Sequence, residues 1–153
     1  MFGKLFPESV DNAYRGHKAA LWIFGVVVAI RIIQSVNTIF NGYSIAKGDG
    51  VPMDTFAPDA AQTVVSTFAL SAFYRLILSL LCVLVLVRYR KAIPFMFVVL
   101  ALNYLGAQLI LQFLPAAGTE TPVGPVITVV MMSLILVGLA LSLWDRSLIH
   151  DGG

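Results

Sequence analysis

The segment Ser66–Val87, STFALSAFYRLILSLLCVLVLV, decides the fold class, because it is an apolar run of helix length with one arginine, Arg75, near its middle. About 20 apolar residues in a helix cross the hydrocarbon core of a bilayer. A central arginine costs about 2.5 to 3.5 kcal/mol on insertion scales, and such residues usually face a cavity, a partner or a ligand. The segment therefore predicts a transmembrane helix whose cation needs a structural or functional reason.

Three further apolar runs accompany this one, so that the predicted spans cover residues 19–40, 60–87, 93–114 and 125–144 approximately. The chain is 59% hydrophobic and 12% charged, whereas soluble domains are about 25% charged. Runs of helix length, without strict alternation of apolar and polar residues, favour helices over a transmembrane barrel. We therefore predict an all-α integral membrane protein, one transmembrane domain over residues 1–153, folded as an antiparallel four-helix bundle.

The N-terminal segment carries an apolar stripe of its own, since Phe2, Phe6, Val10 and Tyr14 recur every four residues. This spacing predicts a short interfacial helix that begins near Pro7, a residue that suits a first helical turn. The apolar run that follows is longer than the core of a signal peptide and has no small-residue cleavage pattern. We therefore do not expect a cleavable signal.

The basic residues predict the orientation, because loops rich in Lys and Arg stay on the cytoplasmic side. Lys47 is the one basic residue in the connections after the first and third spans. Both termini are therefore predicted to be cytoplasmic, in the inner membrane of a cell. Seven of the ten basic residues flank the spans on the other side: Lys4, Arg15, Lys18, Arg88, Arg90, Lys91 and Arg146.

The same flanking charges predict the depth of the polar residues inside the spans. Arg31 follows Lys18 by thirteen residues, and Arg75 precedes Arg88 by thirteen. At 1.5 Å per residue each arginine lies about 20 Å from its flanking charge, near the bilayer midplane. The third and fourth spans offer polar side chains at the same depth: Tyr104 with its neighbour Asn103, and Ser133.

Neither arginine finds a carboxylate within the spans, because these contain no Asp or Glu. One interpretation is a structural network in which neutral acceptors hold the guanidinium groups. The other is that the arginines bind an anionic group from outside the chain. The candidate binding residues are those at this depth and those one helical turn from an arginine: Arg31, Arg75, Asn103, Tyr104, Gln34, Ser71 and Ser133.

Three sources of such an anionic group remain open: a carboxylate of a membrane partner protein, an anionic lipid or other amphiphile, and a small anionic solute. The planar fork of arginine suits a carboxylate or a phosphate. We therefore expect a protein that binds a partner or an anionic amphiphile without catalysis. The alternative is a small transporter or channel-like protein for an anionic solute, which would act as a homo-oligomer.

Several classes of function find no support in the residues. His17 and His150 lie in the flanks of the spans, so neither a metal cluster nor a haem ligand is expected at membrane depth. The lone Cys82 has no second thiol and is expected to be a small packing residue. The net charge of +2 is too small to indicate nucleic acid. We therefore predict no enzyme activity and no cofactor.

One segment resembles a known family. The plan of four spans, with an arginine in the first span followed by RIIQSVNTIFNG at residues 31–42, is similar to that of the DoxX-like small membrane proteins. The resemblance covers this segment alone and implies no functional residue.

Overall fold

The computed structural model describes residues 14, 16–113 and 124–144 of the chain, and all regular structure within them is helical. The expected interfacial helix falls almost wholly on residues 1–13, outside the described residues, as does most of the connection at 114–123. The described helices are α1 (Lys18–Phe40), α2 (Gly42–Gly48), α3 (Pro58–Arg88), α4 (Ile93–Phe113) and α5 (Gly124–Leu143), with 3-10 turns at Met53–Thr55 and Arg90–Ala92.

The four long helices α1, α3, α4 and α5 are each long and apolar enough to cross a membrane. This confirms the prediction of four apolar helical segments. From the sequence, the span was expected to begin near Ala60 with Asp59 as its cap after Pro58, and the cap was wrong. Ala57 is the N-cap, and Asp59 lies in the first helical turn after Pro58, where a carboxylate still favours the positive end of the helix dipole.

The helices pack around α1. It lies against α3 along much of its length and also contacts α5, and α4 packs chiefly against α5. The core contains Phe24 of α1 and Phe97 of α4, whose rings are 5.0 Å apart in an edge-to-face arrangement. Cys82 of α3 is fully buried in the same core, as expected for a packing residue. Burial of these aromatic rings supplies much of the hydrophobic stabilisation of the core.

The connection from α1 to α3 folds back onto α3. Gly42, the first residue of α2, approaches Val65 so closely that an added Cβ would lie 3.2 Å from its side chain. Within the connection, the Tyr43 hydroxyl donates a 2.8 Å hydrogen bond to Asp54, which also pairs with Lys47. The connection also contains helix α2, which places Asp49 at its C-terminal cap.

Candidate functional site

Arg31 is the most buried charged side chain of the described residues, with 4% of its surface exposed. It projects from α1 toward α4. One terminal nitrogen, Nη2, donates a 3.2 Å hydrogen bond to the Oδ1 atom of Asn103. The guanidinium carbon also lies 5.2 Å from the centre of the Tyr104 ring, which places the cation over an aromatic face. Two adjacent residues of α4 therefore hold this arginine.

These two contacts do not satisfy Arg31. Its Nε atom is buried and has no hydrogen-bond acceptor in the described part of the chain. A buried donor without an acceptor costs about 1 to 3 kcal/mol, and more when the group is charged. The neutral Asn103 and Tyr104 offset part of the cost of burying a cation, but neither supplies a negative charge.

Arg75 of α3 lines the same cavity as Arg31, although its side chain is more exposed. Its guanidinium donates no hydrogen bond to residues 14, 16–113 or 124–144. The hydroxyl of Ser79, one turn further along α3, donates a 2.8 Å bond to the main-chain carbonyl of Arg75. The arginines of α1 and α3 are therefore brought together at one cavity, and no carboxylate lines it in the described chain.

The cavity has a volume of about 150 Å³. This is enough for several water molecules or for one small anionic group. Its walls come from all four long helices, and most of the lining residues carry a polar group on an otherwise largely apolar surface. The lining residues are Arg31, Gln34 and Ser35 of α1, Arg75 of α3, Asn103, Tyr104, Ala107, Gln108 and Leu111 of α4, and Thr128 of α5.

Five of the seven residues singled out in the sequence line this cavity, and two do not. Ser71 lies outside the cavity, at an exposed position of α3. Ser133 lies on the exposed side of α5, where its hydroxyl donates a 2.9 Å bond to the Val129 carbonyl. A role in binding stays a prediction for all seven residues.

The depth count missed five lining residues: Ser35, Ala107, Gln108, Leu111 and Thr128. Helical spacing from the residues already singled out finds four of these five, all but Thr128. Ser35 follows Arg31, Ala107 follows Asn103 and Gln108 follows Tyr104 by four residues each, and Leu111 follows Gln108 by three. Thr128 precedes Ser133 by five residues. Its position required the actual tilt and rotation of α5, which the flanking charges do not give.

Asp49 changes the electrostatics of the site. Its side chain lies at the surface of the connection, where partial desolvation raises the pKa of the carboxyl and the attraction of Arg75 opposes that rise. The spans hold no carboxylate, but this loop residue is within electrostatic reach of Arg75. No ion pair joins Asp49 to Arg75 within the described residues, so the compensation is partial.

The described residues contain no group of three or more histidine, cysteine, aspartate or glutamate side chains that could hold a metal ion. His17 is the N-cap of α1, where its Nδ1 atom accepts a 3.1 Å hydrogen bond from the Ala19 backbone. The arrangement at the cavity can bind and orient an anion through guanidinium, amide and hydroxyl groups.

The chain matches no protein-family model, no curated protein and no solved structure. Residues 31–42 therefore resemble the DoxX-like proteins in this one segment only. The functional proposal rests on the geometry of the site.

Proposed function

We propose that the four long helices cross the inner membrane of a cell as an antiparallel bundle with both termini in the cytoplasm. The apolar character of the helices supports insertion. Two contacts support the opposite directions of α1 and α3: Gly25 lies near Leu86, and Gly42 lies near Val65. The excess of Lys and Arg beside the ends of the spans supports the orientation.

We propose further that the protein binds an anionic group, a carboxylate or a phosphate, in the cavity between Arg31 and Arg75, without catalysis. The observation that carries this proposal is the incompletely satisfied Arg31, whose buried Nε atom has no acceptor among the described residues, in the wall of a cavity that Arg75 also lines. A bound oxyanion would accept hydrogen bonds from the guanidinium groups that line the cavity and would lower the repulsion between the two cations.

The structural alternative is a polar network with no ligand. Asn103 and Tyr104 contribute to such a network. Arg75, however, donates no hydrogen bond within the described residues, and a purely structural cation near the membrane centre would need acceptors. Binding of a partner protein and transport by a homo-oligomer remain the alternatives from the sequence, and no contact in the described residues favours either one.

A thermal-shift experiment with the purified protein tests the proposal. The probes are laurate, dodecyl phosphate and the uncharged dodecanol, each added in a mild detergent. We expect the two anions to raise the melting temperature of the wild-type protein well above the effect of dodecanol. The double substitution Arg31→Leu and Arg75→Leu should abolish this difference, because no cation remains in the cavity.

The matched control is Arg88→Leu with Arg90→Leu, which removes two arginines outside the cavity and should preserve the response to the anions. The single substitution Arg75→Gln covers the case in which the double variant fails to fold, because Arg75 is exposed and donates no hydrogen bond in the described chain. A double variant that is more stable than wild type and responds equally to all three probes would support the structural network.

A further inference from the structure

The cavity is closed on one side and open on another. On the α1 side its walls are buried: Arg31 is 4% exposed and Ser35 is 1% exposed. On the α4 side the lining residues Asn103, Ala107 and Gln108 are exposed, as is Arg75 on α3. The exposed lining therefore belongs to α3 and α4, and the mouth of the cavity lies between these two helices.

The packing of the long helices agrees with this position. Helix α1 is packed closely with α3 and more lightly with α5, and α4 is packed with α5. By contrast, α3 and α4 touch each other at few points, although only the short segment Tyr89–Ala92 separates them in the chain. A seam between consecutive helices is thus left without a helix to cover it in the described structure.

In the proposed bundle the seam lies at membrane depth, because Arg75 is near the middle of α3, and it extends along α4 to Gln108, five residues before the end of that helix. Both helices also expose large apolar side chains, among them Tyr74, Ile77, Leu105 and Leu109. A guanidinium and an amide exposed directly to hydrocarbon are costly. A ligand that places a charged head in the cavity and an alkyl chain along the helices would cover both kinds of surface.

We infer that the ligand is an anionic amphiphile that enters the cavity sideways from the bilayer, through the seam between α3 and α4. This inference rests on the proposed anion site and adds the class of ligand and its route. The two arginines take the head group, Gln108 and Asn103 border its entrance, and the alkyl chain remains in the lipid. A soluble anion of the same charge would have to reach this mouth through the apolar part of the membrane.

The substitution Ala107→Trp tests the route, because Ala107 lines the cavity on its exposed side and a tryptophan there would fill the mouth. Ala140→Trp is the matched control. It makes the same change at an exposed position of α5 that does not line the cavity. The probe is a palmitic acid with a photoreactive diazirine, in phosphatidylcholine nanodiscs, with the corresponding alcohol as the uncharged comparison. Cross-linked peptides are identified by mass spectrometry.

We expect the acid, more than the alcohol, to label residues of α3 and α4 that border the seam. Ala107→Trp should reduce this labelling about tenfold or more, which corresponds to the loss of a charge-assisted contact. Ala140→Trp should leave it unchanged. Excess acetate or inorganic phosphate should not compete with the acid.

The labelling results distinguish failure of the lateral route from failure of the anion site. If labelling needs both arginines but ignores Ala107→Trp, or if acetate or phosphate competes with the acid, anion binding survives and the lateral route is wrong. If the acid and the alcohol label the seam equally with or without the arginines, the proposed function fails as well. If Ala107→Trp instead separates a dimer seen by native mass spectrometry, a second copy of the chain covers the seam, and the inference is overturned.

Discussion

The two intramembrane arginines look equivalent in the sequence but differ in their surroundings. Arg31 is buried and is held by the hydrogen bond that it donates to Asn103 and by the ring of Tyr104. Arg75 is exposed at the seam between α3 and α4. We therefore expect Arg31 to be the fixed part of the site. Arg75 has more rotameric freedom and can adjust to the group that binds.

Asp49 provides a titration that reports on Arg75. Partial desolvation raises the pKa of its carboxyl, and Arg75 lowers it. Because Arg75 stabilises the charged carboxylate, Arg75→Gln should raise the pKa of Asp49 further. Carboxyl carbon NMR shifts of the protein in micelles measure this change.

The raised pKa of the Asp49 carboxyl determines how this residue changes the stability of the fold with pH. A carboxyl whose folded-state pKa is raised favours the protonated form on folding. Its contribution to stability is therefore fully present below the unfolded-state pKa and is lost as pH rises through the folded-state pKa. Asp49→Asn should remove this acid-range dependence. The control Arg88→Gln, at the distant end of α3, should leave the pKa of Asp49 unchanged. An unchanged pKa in Arg75→Gln would show that the two residues do not interact.

At the scale of the elements, the tightest contact among the long helices involves Gly138 of α5. A Cβ on Gly138 would lie 2.6 Å from the Cε1 atom of Phe97 and 3.1 Å from Ile23. Since Phe97 is fully buried against Phe24, its ring has little room to move. Gly138→Ala should therefore destabilise the protein by about 1 to 3 kcal/mol, as overpacked cores do. Unfolding in detergent with increasing denaturant measures the change.

Gly106→Ala is the control for this substitution. Gly106 lies within α4 with no atom within 4 Å of an added Cβ, so alanine there should be neutral or stabilising by up to about 1 kcal/mol through its higher helix propensity. If both variants lose stability equally, the effect comes from the helix backbone and not from the contact of Gly138 with Phe97.

For the helices, the sequence predicts length and depth but not the rotation of each helix about its own axis. Helix lengths and depths follow from hydropathy and flanking charge, which is why Arg31, Tyr104 and Arg75 were placed in one layer. Rotation of a helix about its axis depends on the packing of neighbouring helices, and apolar residues on every side give no signal for it. Ser133 was therefore grouped with the cavity although it faces outward, and the close contact of Gly138 was missed.

At the scale of the whole molecule, the orientation of the chain in the membrane is the property most open to a direct test. In a background in which the buried Cys82 is replaced by alanine, single cysteines are introduced at Ser44 and at Tyr89. We expect a membrane-impermeant maleimide to label Ser44→Cys in intact bacterial cells. Tyr89→Cys should react only after the membrane is permeabilised, because Arg88 and Arg90 flank it.

The reverse labelling pattern would invert the orientation and would show that Lys47 and Asp54 lie on the cytoplasmic side. The anion site would survive this result, because its depth is nearly the same from either face. For the whole molecule, the sequence therefore predicts the number, length and direction of the long helices. The fold of residues 41–57 against α3 was not predicted, since short loop helices have no hydropathy signal.

The unsatisfied Nε atom of Arg31 also links occupancy to stability. A group that binds the folded protein and not the unfolded chain adds RT ln(1 + [L]/Kd) to the free energy of unfolding, about 2.7 kcal/mol at a hundred times its Kd. An empty site thus leaves the fold weaker than a filled one. If an anion binds as proposed, a melting curve recorded against a panel of native lipids will identify it by the rise in melting temperature, before its chemistry is known.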